Sequence, residues 1–502
     1  MASFTAPSTM GSLPRKGPPT MDSFPREVEL MILRHLDDED DRDALVAAYP
    51  SWKDSVEYDN MFTTVKVDPS GVHRMPLNDF LGLFNESNIE QHKLLHNVQV
   101  GFHLDGIRNH GWLIENEHVK EVDSWLLTQP ILDVLETLHQ VETRVQASMG
   151  AGASPFRLSL NNCTEPSPSC DVTNFKIVTD MWKHEMSLMF RQPLSLKLGR
   201  PMRNGPAPKM LQSVHDFVFK NKGVLRYVDP SNVVAIAWLM CNLRRLRLEF
   251  DEGEFWTAKS KENWRSSICC ALAFPRLVSD GMPLLEEAHV HIGRRSVADN
   301  EDLRDRQPDS QYYRWHHAEH VIITFSRCSS LTSLKLTGQF CLSPLAFDVL
   351  PDPFRGGARP FPALRSFRLD FGPDSTGARW YFDAETPSSS SGRPFLPCLQ
   401  KRTRPNDDMM NQLLLSAAKA VAKMRMIETF SLCLRDKFYF EATKRTLEVH
   451  FVSKNWRHGG CPTLTFKLGN YVDTWRPRAE VLAAWKAAAG RMERRLEILF
   501  EE

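Results

Sequence analysis

Between residues 243 and 432 a Leu-x-x-Leu-x-Leu spacing returns five times, and it limits the chain to a small set of folds. The segments are Leu243/Leu246/Leu248, Leu285/Ala288/Val290, Leu331/Leu334/Leu336, Leu364/Phe367/Leu369 and Ile427/Phe430/Leu432. Within each, the last two apolar residues lie two apart and so share one face of a strand. Helix-like stretches stand between them at Trp264 to Ala273, Trp315 to Arg327 and Met409 to Met424. Strand, loop, helix and strand at a recurring interval is the pattern of a leucine-rich-repeat-like solenoid. The intervals run from 33 residues (Leu331 to Leu364) to 63 (Leu364 to Ile427), above the usual span of about 20–29. An α/β domain with an ordinary parallel sheet is the alternative. The expected fold class is mixed α/β in either case.

The x positions of these segments carry cations: Arg244, Arg245, Arg247, Lys335, Arg365 and Arg368. Stacked strands would gather them into a band on the sheet's open face. Guanidinium forks match carboxylates and phosphates, so these six residues are the candidate contacts for a target protein. Ordinary solvation of an exposed sheet is the alternative.

Upstream, Met61 to Val67, Leu94 to Phe102, Pro155 to Cys163 and Pro193 to Arg200 read as short extended segments. Ile114 to Leu138 reads as a helix, ended by the Gly-rich run from Met149 to Pro155. Downstream, Thr386 to Pro394 is a Ser-rich loop and Lys401 to Arg404 a short basic run. Leu464 to Leu468 reads as a last strand. Arg478 to Phe500 reads as a helix with Val481, Leu482, Trp485, Ala488, Met492, Leu496 and Leu499 on one stripe, suited to cap the open end of an array.

The N-terminal part carries a different pattern. Phe24, Val28, Ile32 and Leu36 recur every four residues, with Leu33 beside them, as on one face of a helix. Pro25 falls in the first turn, where its missing N–H costs nothing. After an acidic break, Leu45, Ala48, Tyr49, Trp52 and Val56 form a second stripe. Two short helices of this kind need a partner to cover them. A hairpin packed on its own chain is one answer.

The order Phe-Pro-x-Glu-Val-x-x-x-Ile-Leu-x-x-Leu, the acidic break, Leu-x-x-Ala and then Trp resembles an F-box. The likeness covers about 45 of the 502 residues. The repeat region is similar to the irregular repeats of fungal F-box proteins. The resemblance implies a helical module that docks on a Skp-type adaptor, and through it on a cullin scaffold, as the substrate receptor of a ubiquitin ligase. It implies adaptor contacts at Phe24, Pro25, Val28, Ile32, Leu33, Leu36, Leu45 and Trp52. The implied organisation is a tail over 1–20, the F-box-like module over 21–67, linker helices and first repeats over 68–238, a solenoid over 239–470 with its Ser-rich insertion near 386–394, and a capping helix over 471–502. A non-catalytic interaction scaffold without an adaptor is the other reading.

Composition narrows the function further. Lys plus Arg equals Asp plus Glu at 62 each, so no global field draws the chain to nucleic acid or an anionic membrane. No apolar run approaches the roughly 20 residues of a bilayer span. Ten cysteines without a Cys-x-x-Cys pair read as reduced thiols, with vicinal Cys269 and Cys270 placed in a helix core. The expected compartment is cytoplasmic, nuclear or both.

Several constellations invite chemistry. His316-His317-Ala318-Glu319-His320 matches the His-x-x-Glu-His pattern of zinc peptidases, against the plainer reading of a repeat helix's polar face. His289 and His291 share one strand face and could hold a metal or simply pack together. Asp37 to Asp43 carries six acids in seven residues, but Arg42 and Ala48 stand where a calcium loop needs Gly and Glu. No phosphate-binding glycine loop or nucleophile elbow is present. The expectation is a receptor without catalytic residue, metal or cofactor.

Overall fold

In the computed structural model, two apolar rows run across one 12-stranded sheet and organise everything else. The structure describes residues 32, 44–45, 47–52, 64–69, 75–85, 89, 92, 95–102, 117–149, 154–162, 210–221, 228–251, 264, 267–273, 282–293, 318–340, 342–351, 359–372, 381–384, 402–435, 446–455, 460–468, 475–490 and 495–501. The sheet opens with β1 (Thr64–Val67), β2 (Asn97–Phe102), β3 (Phe156–Asn162) and β4 (Val214–Asn221). It continues with β5 (Arg245–Asp251), β6 (Glu287–Gly293), β7 (Ser333–Phe340) and β8 (Ser366–Phe371). Then come β11 (Thr429–Arg435), β12 (Thr446–Asn455), β13 (Cys461–Lys467) and β14 (Glu497–Glu501). A separate antiparallel pair, β9 (Phe382–Ala384) with β10 (Arg402–Pro405), intervenes along the chain between β8 and β11, which are themselves neighbours in the sheet.

The strands lie in chain order. From β1 to β11 every neighbouring pair in the sheet is parallel. Parallel neighbours need a crossover, and helices supply several of them: α1 (Leu77–Leu83), α2 (Glu117–Met149), α3 (Pro230–Trp238), α4 (Ala318–Ser326) and α5 (Asp407–Lys423). The direction then changes. β11–β12 and β12–β13 are antiparallel, and α6 (Ala479–Gly490) leads back to β14, parallel to β13.

Register explains the Leu-x-Leu spacing. Leu246, Ala288, Leu334, Phe367 and Phe430 are successive partners across β5, β6, β7, β8 and β11, and so are Leu248, Val290, Leu336, Leu369 and Leu432. The leading residues Leu243, Leu285, Leu331, Leu364 and Ile427 are buried as well. The same two rows extend back through Phe217 and Phe219, Leu158 and Leu160, Val98 and Val100 to Val65 and Val67. They extend forward through Phe451 and Val449, then Leu464 and Phe466, to Ile498 and Phe500. The solvent cover ends there, for Phe500 is 36% exposed while its stacking partner Phe466 is buried.

The helices close the apolar face of the sheet. Phe347 meets Phe367 and Phe430 edge-on, Phe367 stacks on Phe430 at 4.9 Å, and Trp485 of α6 touches Phe430 and Phe451. Each such aromatic buries on the order of 150–250 Å². Local chemistry sets the helix starts. Asp229 accepts from Ser231 N at α3, with Pro230 in the first turn, and Asn406 accepts from Met409 N at α5. Buried acids tie loops to helices: Glu142 of α2 accepts from Gln212 N and Ser213 N at 3.0 and 2.8 Å, and also from the Ser213 hydroxyl.

Two expectations need correction. Arg478 to Phe500 is not one helix: α6 spans Ala479–Gly490, and Leu496 leads into a strand that contains Leu499. The apolar spacing is genuine over Val481 and Trp485, but Glu-Ile-Leu-Phe-Glu alternates as a strand and finds a free edge at β13. Cys269 is buried as expected, whereas its neighbour Cys270 is exposed, because adjacent helical residues point about 100° apart. The extended reading of Pro193 to Arg200, the loop at Thr386 to Pro394 and the acidic run Asp37 to Asp43 lie outside the described residues. Lys401 to Arg404 largely forms β10. Residues 64–67, at the end of the expected N-terminal module, are the first strand of the large sheet, and β4 pairs with β5 across the expected boundary near 239.

One glycine is required by the packing. Gly338 in β7 has φ +101°, and a Cβ there would sit 2.0 Å from the Ile292 carbonyl oxygen. The register shifts in the same stretch, between Leu336 and Phe340. Gly338→Ala must therefore move backbone rather than a side-chain tip, and we expect a loss of about 2–4 kcal/mol. Urea unfolding followed by circular dichroism checks this; a midpoint unchanged from wild type contradicts it.

Candidate functional site

The face of the sheet opposite the apolar rows carries the polar side chains that alternate with them. One outward row reads Arg247, His289, Lys335, Arg368, Ser431, His450 and Thr465, successive partners from β5 to β13. Three of the six sequence-predicted cations, Arg247, Lys335 and Arg368, fall in this row. Arg245 stands in the row beside it, level with Glu287. Arg244 and Arg365 precede their strands and pair with Glu286 and Glu428, both at 2.8 Å. These two pairs are half-exposed and contribute little.

The row's arginines are held differently. Arg247 pairs with Glu249, two residues on, at 2.6 Å, and Arg368 pairs with Asp370 in the same way at 2.9 Å. Glu249 and Asp370 side chains are 3% and 4% exposed, while Arg247 and Arg368 are 50% and 38% exposed. The carboxylates thus lie beneath and the guanidiniums face solvent. Asp216 similarly holds Arg157 at 2.8 Å and Arg245 at 3.4 Å. Lys335 is exposed, and among the described residues no carboxylate pairs with it.

Between the two arginines lies a hydroxyl–imidazole cluster. His289 Nε2 is 3.0 Å and His291 Nδ1 2.9 Å from the Thr337 hydroxyl. The hydroxyl has one proton to give, so at least one ring donates to it. Burial, then the charges of Arg247 and His291, pushes the His289 pKa down to about 4, which leaves that ring neutral at pH 7. Farther along, Ser431 Oγ and His450 Nδ1 lie 2.6 Å apart across β11 and β12. Burial and the nearby Lys467 lower the His450 pKa. The paired histidines therefore share one hydroxyl on this face of the sheet. Among the described residues no group of three or more His, Cys, Asp or Glu is arranged to hold a metal ion.

Of the His-x-x-Glu-His pattern, the structure describes Glu319 and His320. His316 and His317 lie outside the described residues. Glu319 opens α4 turned into the protein, 9% exposed, and accepts from Ser343 N at 2.7 Å, while His320 is exposed. Glu319 thus anchors the segment after β7 rather than facing a reagent. Its other oxygen has no hydrogen-bond partner among the described residues.

Of the residues implied as adaptor contacts, Phe24, Pro25, Val28, Leu33 and Leu36 lie outside the described residues. Ile32 and Leu45 are half-buried. Trp52 is fully buried within its own chain, with the Tyr49 ring 6.4 Å away. The sequence reading missed the partnering of the arginines. The signal was present: Arg247-Leu-Glu249 and Arg368-Leu-Asp370 each place cation and anion on one strand face. No model of a known protein family matches this chain. No curated protein matches it either.

Burial raises the Glu319 pKa to about 7 from an ordinary 4.5. A raised carboxyl pKa gives stability that is present in full below about pH 4.5 and is lost as pH rises through 7. Glu319→Gln keeps an oxygen for Ser343 N and removes the charge. It should gain stability over wild type at pH 8.5, by up to about 3 kcal/mol, and much less at pH 4.5. Thermal unfolding at the two pH values checks this; an equal effect at both contradicts it.

Proposed function

We propose that the chain is a substrate receptor of a Skp–cullin–F-box ubiquitin ligase, with an F-box-like N-terminal module and a leucine-rich-repeat-like solenoid for its target. The observation that carries the repeat half is the strand order. Every strand of the sheet lies beside its predecessor in that sheet, helices cover one face, and among the described residues the other face carries mostly polar side chains, with Val218, Cys433 and Val452 among them. Such a surface suits a partner protein better than a small substrate, which needs a concave, water-excluding pocket. The adaptor half rests on the sequence pattern from Phe24 to Trp52. The receptor acts by tethering: a bound target meets the ubiquitin-loaded enzyme at raised effective concentration, with no catalytic residue supplied by this chain.

One observation favours a second reading. Trp52, among the implied adaptor contacts, has no surface left for a partner. In a scaffold that never meets the adaptor, the N-terminal helices would cover their own chain in the same manner.

Co-expression with a Skp-type adaptor decides between them. Wild type should retain the adaptor, and Val28→Asp/Ile32→Asp should lose it while keeping its circular dichroism spectrum, since charge in an apolar contact costs about 2 kcal/mol or more. A folded wild type that retains no adaptor selects the scaffold. A double variant that unfolds assigns the stripe to the chain's own core.

A further inference from the structure

We propose that the row across β6, β7 and β8 is a phosphate-reading site, in which Lys335 and Arg368 together hold a phosphorylated serine or threonine of an extended partner segment. The proposal deepens the receptor reading and rests on it for the identity of the partner as a protein. It needs no adaptor to be tested.

The argument begins with what solvent meets. Over β5 to β8 the charges of this face nearly cancel, but they do not lie at one depth. Glu249 and Asp370 are buried, whereas Arg247 and Lys335 are exposed and Arg368 is half-buried with its side chain 38% exposed. Along this row a partner therefore meets Arg247 and Arg368 with their carboxylates beneath them and Lys335 without one, while the exposed carboxylate of Glu287 stands in the row beside it. Glu249 and Asp370 also fix the guanidiniums. Arg247 gives Nε and Nη2 to Glu249 Oε1, and Arg368 gives Nε to Asp370 Oδ1. Side-chain order is thus largely established before binding, which lowers its entropic cost.

The chemistry favours phosphate over a single carboxylate. Lys335 and Arg368 are direct partners on adjacent parallel strands, so their backbones are about 4.8 Å apart. Two cations at that separation match one dianion with three acceptor oxygens. A lone carboxylate is best met by a complete guanidinium fork, and the Arg368 fork is already partly engaged by Asp370. Neutral His289 on the other side of Lys335, and the Ser431 hydroxyl beyond Arg368, add hydrogen-bonding groups without adding charge. No acidic side chain interrupts the row from β5 to β8.

Three fluorescein-labelled peptides, identical except for a central phosphoserine, glutamate or serine, would be titrated against the full chain by fluorescence anisotropy. The phosphoserine peptide should bind at least about tenfold more tightly than the other two. Lys335→Glu, an exposed change that leaves the core untouched, should abolish that preference. Arg368→Gln combined with Asp370→Asn, which avoids stranding a buried charge, should weaken it about tenfold. Equal binding of the glutamate peptide, or phosphoserine binding undiminished in folded Lys335→Glu, would overturn the assignment. So would no binding of the phosphoserine peptide by wild type. Adaptor capture by the same preparations is scored separately, so loss of the receptor reading and loss of the phosphate site give different results.

Discussion

The structure depends on lateral contact between apolar side chains in two rows that cross the sheet at right angles to its strands. Each strand contributes one residue to each row, and each residue is flanked by its counterparts on neighbouring strands. Phe367 and Phe430 stack at 4.9 Å in one row, with Phe347 edge-on to both and Trp485 against Phe430. Removing a methylene from such a row costs its transfer energy and leaves a gap that packed neighbours fill only in part. The rows survive the change from parallel to antiparallel pairing at β12, because side-chain alternation has the same period of two in both arrangements.

Several buried polar groups have a positional task. Glu142 holds the chain as it enters β4, Glu319 holds it as it leaves β7, and Asn411 of α5 accepts from Arg478 N just before α6. Asp407 adds Trp475 Nε1 at 3.2 Å and the Arg478 guanidinium to the same junction. Crossovers of unequal length thereby reach the sheet in register. The acids of the open face have the complementary task of fixing cations from below.

Much of this was legible where the sequence keeps Leu at two-residue spacing, and all five such segments fall in the rows. The strands before residue 239 carry the same register in other residues: Val65 and Val67, Val98 and Val100, Phe217 and Phe219. A pattern tuned to leucine passes over them, although β-branched and aromatic residues fit a pleated surface at least as well. The misread C-terminal helix has a related cause. Leu496 and Leu499 happen to continue the helical spacing of Val481 and Trp485, and only the available edge of β13 decides for a strand. On the candidate site, the cations were visible one at a time, but their depth relative to Glu249 and Asp370 is a tertiary property.

The chain-order arrangement of strands has a consequence for how the molecule can assemble. Each strand's sheet neighbours are the strands that precede and follow it in that sheet, so no pairing waits on a distant part of the polypeptide. Loop closure costs rise only slowly with loop length, by about 0.6 kcal/mol per doubling, and even the crossover from β8 to β11 closes a modest circle. A nucleus formed anywhere in the array, most readily around Phe367 and Phe430, can therefore grow outward one strand at a time in both directions. Growth of that kind would make partial unfolding begin at the ends, where Ile498 and Phe500 are least covered, and travel inward.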